Sequence, residues 1–247
     1  MNAKMLCTSF DMKYVLISVA LAAVAYILFY SIRTICLVRI SAGLVADARP
    51  FVSTEGVRAL LVLGDSTGVG VGSSAEGSVA ARLSTYLDAS VENHAKSGAR
   101  ADDIGGQLKK VRKSLYDMAL IQVGANDIIR FGSSRKAGED IEASLSRARE
   151  VSDRVVLLTG GKIGDAPFFP KPFGFLWINR AATLRERFMV AAEKHGVVYI
   201  DLFNAKDPFA SDAERYYAPD GLHLTADGYG FWFDEVKKSI EKTWPEL

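Results

Sequence analysis

A serine hydroxyl attacks a carbonyl carbon well only when a base takes its proton and a further group holds that base in the right tautomer and orientation. Ser66, in Gly64-Asp65-Ser66-Thr67-Gly68, directly follows the apolar run RALLVLG. A serine there stands on a tight strand-to-helix turn with its hydroxyl facing the crevice. In PDGLHLTADGY, Asp220 and His223 are three residues apart on a turn that precedes a helix. At that spacing the carboxylate reaches one imidazole nitrogen and leaves the other facing outward. His94 and His195 lack an acid at this spacing and read as surface or packing residues. Acyl transfer also needs donors aimed at the developing oxyanion. Asn126, in Gly124-Ala125-Asn126-Asp127, can donate its side-chain amide, and Gly98 can offer its backbone N–H with no side chain in the way. Taken singly these signals are weak, because Gly, Asp, Ser and Asn are ordinary turn residues.

What must position such residues is a set of short strands that end beside one another. RALLVLG, MALIQVG at 118–124, RVVLLTG at 154–160 and GVVYIDL at 196–202 are short, branched and apolar, as strands buried on both faces would be, and a shorter one is expected near Val91 to His94. Between them lie helical stripes: Val79, Leu83 and Leu87; Ile104, Leu108, Val111 and Leu115; Ile141, Leu145 and Ala148; Ala181, Leu184, Phe188 and Ala192; and Phe233, Val236 and Ile240. Strand-helix alternation predicts a three-layer α/β/α sandwich around a mostly parallel sheet, because parallel neighbours need crossover connections. Ligands of such sheets gather outside the carboxyl ends of the strands, which is where the residues singled out above fall.

The ordered set Gly64-Asp65-Ser66-Thr67, Ser97-Gly98, Gly124-Ala125-Asn126-Asp127 and Asp220-Gly221-Leu222-His223 resembles the four blocks of the SGNH (GDSL-like) hydrolase family, spread across essentially the whole globular part. The resemblance implies the flavodoxin-like SGNH hydrolase fold and a carboxylic ester hydrolase, an esterase or lipase. It implies Ser66 as nucleophile and backbone donor, Gly98 and Asn126 completing the oxyanion hole, His223 as general base and Asp220 as its orienting acid. No metal or cofactor is required by that chemistry. The family commonly has Leu or Ile after the serine where this chain has Thr67, a departure that bears on the turn and on substrate preference, not on the proton path.

Residues 14–32, YVLISVALAAVAYILFYSI, are nineteen without a charge, nearly enough to cross a hydrocarbon core of roughly 30 Å. They predict an uncleaved membrane anchor, because the first small-residue cleavage pattern, Ala46-Asp47-Ala48, lies beyond Arg33 and Arg39. The expected organisation is a tail at 1–13, the anchor at 14–32, a linker at 33–56 and the hydrolase domain at 57–247. Lys4 and Lys13 on one side nearly balance Arg33, Arg39 and Arg49 on the other, so positive charge gives no preferred orientation in the membrane. Cys7 and Cys36, the only cysteines, lie in or beside the anchor, which leaves the globular part without a disulfide or thiolate metal site.

Thirty basic residues against 29 acidic ones give no sign in the total charge of a nucleic-acid partner, whose recognition would need a basic face. The glycines at 68, 70 and 72 do not make a dinucleotide loop, because position 73 is Ser. Gly-Asp-Ser-Thr-Gly also fits the nucleophile elbow of α/β-hydrolases, but that elbow follows a strand well inside its domain, with the acid usually far in sequence from the histidine. DAPFFPKPFGFLW at 165–177 is dense in Phe, Pro and Trp. Its aromatics, Phe168 and Phe169 above all, either line an acyl pocket, dip into lipid beside the anchor, or pack on the sheet. The first two would favour apolar acyl esters or lysophospholipids. An O-acetylesterase or acyltransferase acting on a glycan, and a catalytically silent tethered binding domain, are the rival functions.

Overall fold

The computed structural model describes residues 12–206 and 208–246. In chain order the helices and strands are α1 (Met12–Asp47), β1 (Arg58–Gly64), α2 (Ser66–Val69), α3 (Val79–Leu87), β2 (Ala89–Asn93), α4 (Ile104–Leu108), β3 (Met118–Gln122), α5 (Ala125–Ile129), α6 (Ser134–Ala148), β4 (Val155–Leu158), α7 (Gly174–Lys194), β5 (Val198–Ile200), α8 (Ala213–Tyr216) and α9 (Ala226–Thr243). The strands form one parallel sheet in the order β2-β1-β3-β4-β5. Each expected strand is present.

Along β1 the side chains alternate between two cores, as the two-residue period of a strand requires. Leu61 and Leu63 pack with Ile104, Ile141, Leu145, Leu184 and Phe188 of α4, α6 and α7. Leu60 and Val62 pack with Val79, Leu83, Leu87, Val236 and Ile240 of α3 and α9. Helices therefore cover both faces, which is the predicted sandwich. Because the chain runs from β1 to β2 on one side and then returns past β1 to β3 on the other, a topological switch point opens between β1 and β3, where a crevice forms.

Two expectations about element length are corrected. The stripe through Val111 and Leu115 does not become helix: α4 ends at Leu108 and Leu115 is exposed. Gly105 and Gly106 weaken the segment, and its downstream part is held from outside, with Arg112 N–H donating to Glu92 Oε1 (3.0 Å) and Lys113 N–H to the Tyr116 hydroxyl (3.2 Å). At the other end, α1 does not stop at Ile32 but continues through Asp47, so residues 33–47 of the expected linker are helical. Gly43 alone costs about 1 kcal/mol relative to alanine, too little to break a helix whose neighbours favour it. The stop comes just ahead of Pro50, where helical backbone is disfavoured. Helix α1 is long and apolar enough to cross a membrane and buries none of its residues fully. Lys4, Cys7 and the rest of the expected tail through residue 11 lie outside the described residues, while Met12 and Lys13 already belong to α1.

Candidate active site

The loops after β1, β2 and β3 lie side by side because the three strands do. Gly64 ends β1 with φ +144°, and a Cβ there would fall 2.0 Å from the Gln122 carbonyl oxygen, so only glycine lets β1 and β3 close to this distance. The buried Gln107 amide then fixes both backbone groups of Gly64: its Oε1 accepts from Gly64 N–H (2.7 Å) and its Nε2 donates to Gly64 O (2.8 Å). Asp65 caps α2, its Oδ1 accepting from Thr67 N–H (2.9 Å) and from the Thr67 hydroxyl (2.8 Å). Ser66 is thereby the first residue of α2, and first-turn N–H groups have no acceptor within their helix. Behind it the buried Tyr229 hydroxyl donates to Val71 O (2.8 Å), tying the segment after α2 to α9.

The second and third loops are clamped to each other. Asn126 Nδ2 donates one of its two hydrogens to Ala99 O (3.1 Å), and Ala101 N–H donates to Asp127 Oδ2 (3.1 Å). The remaining amide hydrogen of Asn126 is left for a ligand. Gly98 has φ +84°, the left-handed region, and a Cβ there would stand 3.2 Å from the Arg130 guanidinium.

The turn before α9 brings in the last two groups. His223 Nδ1 lies 2.6 Å from Asp220 Oδ2, while Asp220 Oδ1 accepts from the N–H groups of Leu222 and His223 (3.0 Å each). Burial works to raise the Asp220 carboxyl. The hydrogen bond and charge of His223, with the two backbone donors, outweigh it and hold the group below its ordinary range. Asp220 thus accepts as a carboxylate, which fixes the proton of a neutral imidazole on Nδ1 and leaves Nε2 as a lone-pair base. Ser66, Gly98, Asn126 and His223 all line a single cavity of about 800 Å³, with Asp220 fully buried behind the imidazole.

Two carboxyls that belong to the quoted blocks, but to which the sequence assigned no role, are perturbed by burial. Burial pushes Asp65 up to about 6, against the opposing Thr67 donors and the charge of His223, and its Oδ2 has no hydrogen-bond partner among the described residues. Burial likewise raises Asp127 to about 6, opposed by the Ala101 N–H. His94 does find an acid, Glu92 two residues before it (2.6 Å), but away from the cavity wall. Phe168 and Phe169 are not among the lining residues either. Phe169 is buried against Trp177, ring centroids 4.5 Å apart, and the loop meets the cavity through Ala166 and Pro167 instead.

Residues 62–231 match the sequence profile of the GDSL-like Lipase/Acylhydrolase family. No curated protein matches the chain. Similar solved structures include phospholipase A1 from Streptomyces albidoflavus, 16% identical with a TM-score of 0.60 over 74% of this chain and 99% of that one. A mutant of Axe2, an acetyl-xylooligosaccharide esterase from Geobacillus Stearmophilus, is 16% identical with a TM-score of 0.56 over 75% and 94%. The psychrotrophic esterase EstA from a Pseudoalteromonas species is 19% identical with a TM-score of 0.55 over 77% and 100%. At such identities these likenesses speak for the fold.

Proposed function

The chain belongs to the GDSL-like lipase/acylhydrolase family of ester-hydrolysing enzymes, and from that premise we propose that it is a membrane-tethered serine esterase that cleaves apolar acyl esters through an acyl-enzyme on Ser66. The observation that carries this reading is the convergence of Ser66, Gly98, Asn126 and His223 on one cavity, with Asp220 held on the far nitrogen of the imidazole. As Ser66 Oγ attacks the ester carbonyl carbon, its proton passes to His223 Nε2. The carbonyl oxygen becomes an oxyanion that accepts from the N–H groups of Ser66 and Gly98 and from the Asn126 amide. Collapse breaks the bond to the alcohol, whose oxygen takes the proton from His223. Water then repeats the sequence on the acyl-enzyme, giving the acid and restoring the serine.

Helix α1 supports the tether, since its apolar stretch is long enough to span a bilayer and none of its residues is fully buried in the fold. Phe209, Phe231 and Trp232 in the cavity wall favour an apolar acyl group over a polar one. The test is hydrolysis of a graded series of acyl esters by the full chain and by Ser66→Ala, together with labelling by a serine-directed phosphonate. Turnover and labelling that vanish in Ser66→Ala support the reading. A folded protein with neither on any ester or thioester is a silent binding domain.

A further inference from the structure

Helix α1 does more than reach the domain. Val38, Ser41, Ala42 and Val45 line the same cavity as Ser66 and His223, and their spacing of i, i+3, i+4 and i+7 is one face of a helix. Phe209, Phe231 and Trp232 line the same cavity. The helix is also fastened in place: the Arg33 guanidinium donates to the carbonyls of Pro167 and of Phe168 (3.1 Å). Phe168 N–H in turn donates to Gly221 O (2.9 Å), in the turn that holds Asp220 and His223. About two turns further toward the amino end, Tyr26 meets Phe173 with ring centroids 6.5 Å apart, and Tyr30 shares a shallow pocket with Pro170 and Phe173. Those tyrosines belong to the uncharged stretch 14–32, and Phe173, Phe175 and Leu176 are exposed. At 1.5 Å per residue, Val38 and Val45 lie only about 8 and 18 Å along the helix from Arg33, where that stretch ends.

We propose that the Val38–Val45 face of α1 is the acyl-chain wall of the ester site, so that the chain's own membrane helix determines specificity and its substrates are amphiphilic acyl esters taken from the adjoining lipid surface. The proposal rests on the serine esterase reading and adds to it. A chain begun after Val45 would keep Ser66 and His223 but lose this wall. Burial of each further methylene against it is worth roughly a fourfold gain in kcat/KM, and the gain should depend on the helix face.

The test uses the full chain in phospholipid nanodiscs, with chromogenic acetate and dodecanoate esters. Three variants are compared with the wild type: Ala42→Trp, which fills the wall; Ile40→Trp, on the opposite side of the helix; and Ser66→Ala. The expected result is a ratio of dodecanoate to acetate kcat/KM at least about tenfold lower in Ala42→Trp, with Ile40→Trp keeping the wild-type ratio. An unchanged ratio in Ala42→Trp, or an equal fall in both helix variants, overturns the wall while Ser66-dependent hydrolysis continues. Absence of Ser66-dependent turnover on either ester refutes the esterase reading, and the wall falls with it.

Discussion

Replacing Asp220 by asparagine separates orientation of the base from stability of the fold. Asp220 is fully buried and serves three donors. In Asp220→Asn the amide oxygen can keep the N–H groups of Leu222 and His223, while the amide nitrogen takes the place of Oδ2, 2.6 Å from His223 Nδ1. That nitrogen donates, so Nδ1 must accept, and the imidazole proton moves to Nε2. His223 then presents Ser66 with a hydrogen instead of a lone pair. The expected loss in kcat is about 10⁴-fold, which is about 5.5 kcal/mol of barrier, with KM little changed because no binding contact is touched. Alanine would be the poorer probe, since it orphans the buried His223 N–H at about 1–3 kcal/mol and the part-buried Leu222 N–H as well, and so mixes catalysis with folding. The assay is steady-state hydrolysis of a short soluble ester by the full chain in detergent, paired with a thermal melt. A variant that melts with the wild type and keeps kcat within about tenfold would refute the role of Asp220.

Asn126→Ala removes the one side-chain donor of the proposed oxyanion hole, and kcat should fall by about 10²–10³-fold in the same assay; a loss of less than about threefold would take the amide out of that proposal. Asp65 supplies a pH test. Its carboxyl titrates near 6 when folded and near 3.9 unfolded, so the folded state binds the proton more tightly. The resulting stabilisation is complete below about pH 4 and is lost as pH rises through about 6. Asp65→Asn keeps an oxygen for Thr67 and cannot ionise, so its stability should decline less between pH 4 and 7, by roughly 3 kcal/mol in denaturant titrations. A slope as steep as that of the wild type would assign the decline to other groups.

The strands were legible in the sequence because each is a short apolar run with its own stop, and the residues that share the cavity could be picked out because most of them sit just past such a stop. Asp220 and His223 could even be paired, since three residues on one turn fix their distance locally. Partnerships across the sheet could not be read in this way. Nothing near Gln107 announces that its amide will close on Gly64, 43 residues away, and nothing near Asp65 or Asp127 announces their burial. Pattern also misled where periodicity was carried by residues with better partners elsewhere: Val111 and Leu115 continue a helical stripe, yet Glu92 and Tyr116 hold the backbone beside them in a loop. The reach of α1 to Asp47 was hidden because Ser41 and Gly43 resemble a linker until packing is known.

The order in which the site is assembled follows from where its parts lie along the chain. Ser66, Gly98 and Asn126 come from the first three strands, while Asp220 and His223 arrive only with the turn before α9. During synthesis the residues of the proposed oxyanion hole therefore leave the ribosome well before the proposed proton acceptor does. An unfinished polypeptide, or one clipped ahead of the turn before α9, would hold the proposed nucleophile without its proposed base. On the proposed mechanism, hydrolytic competence is conferred last.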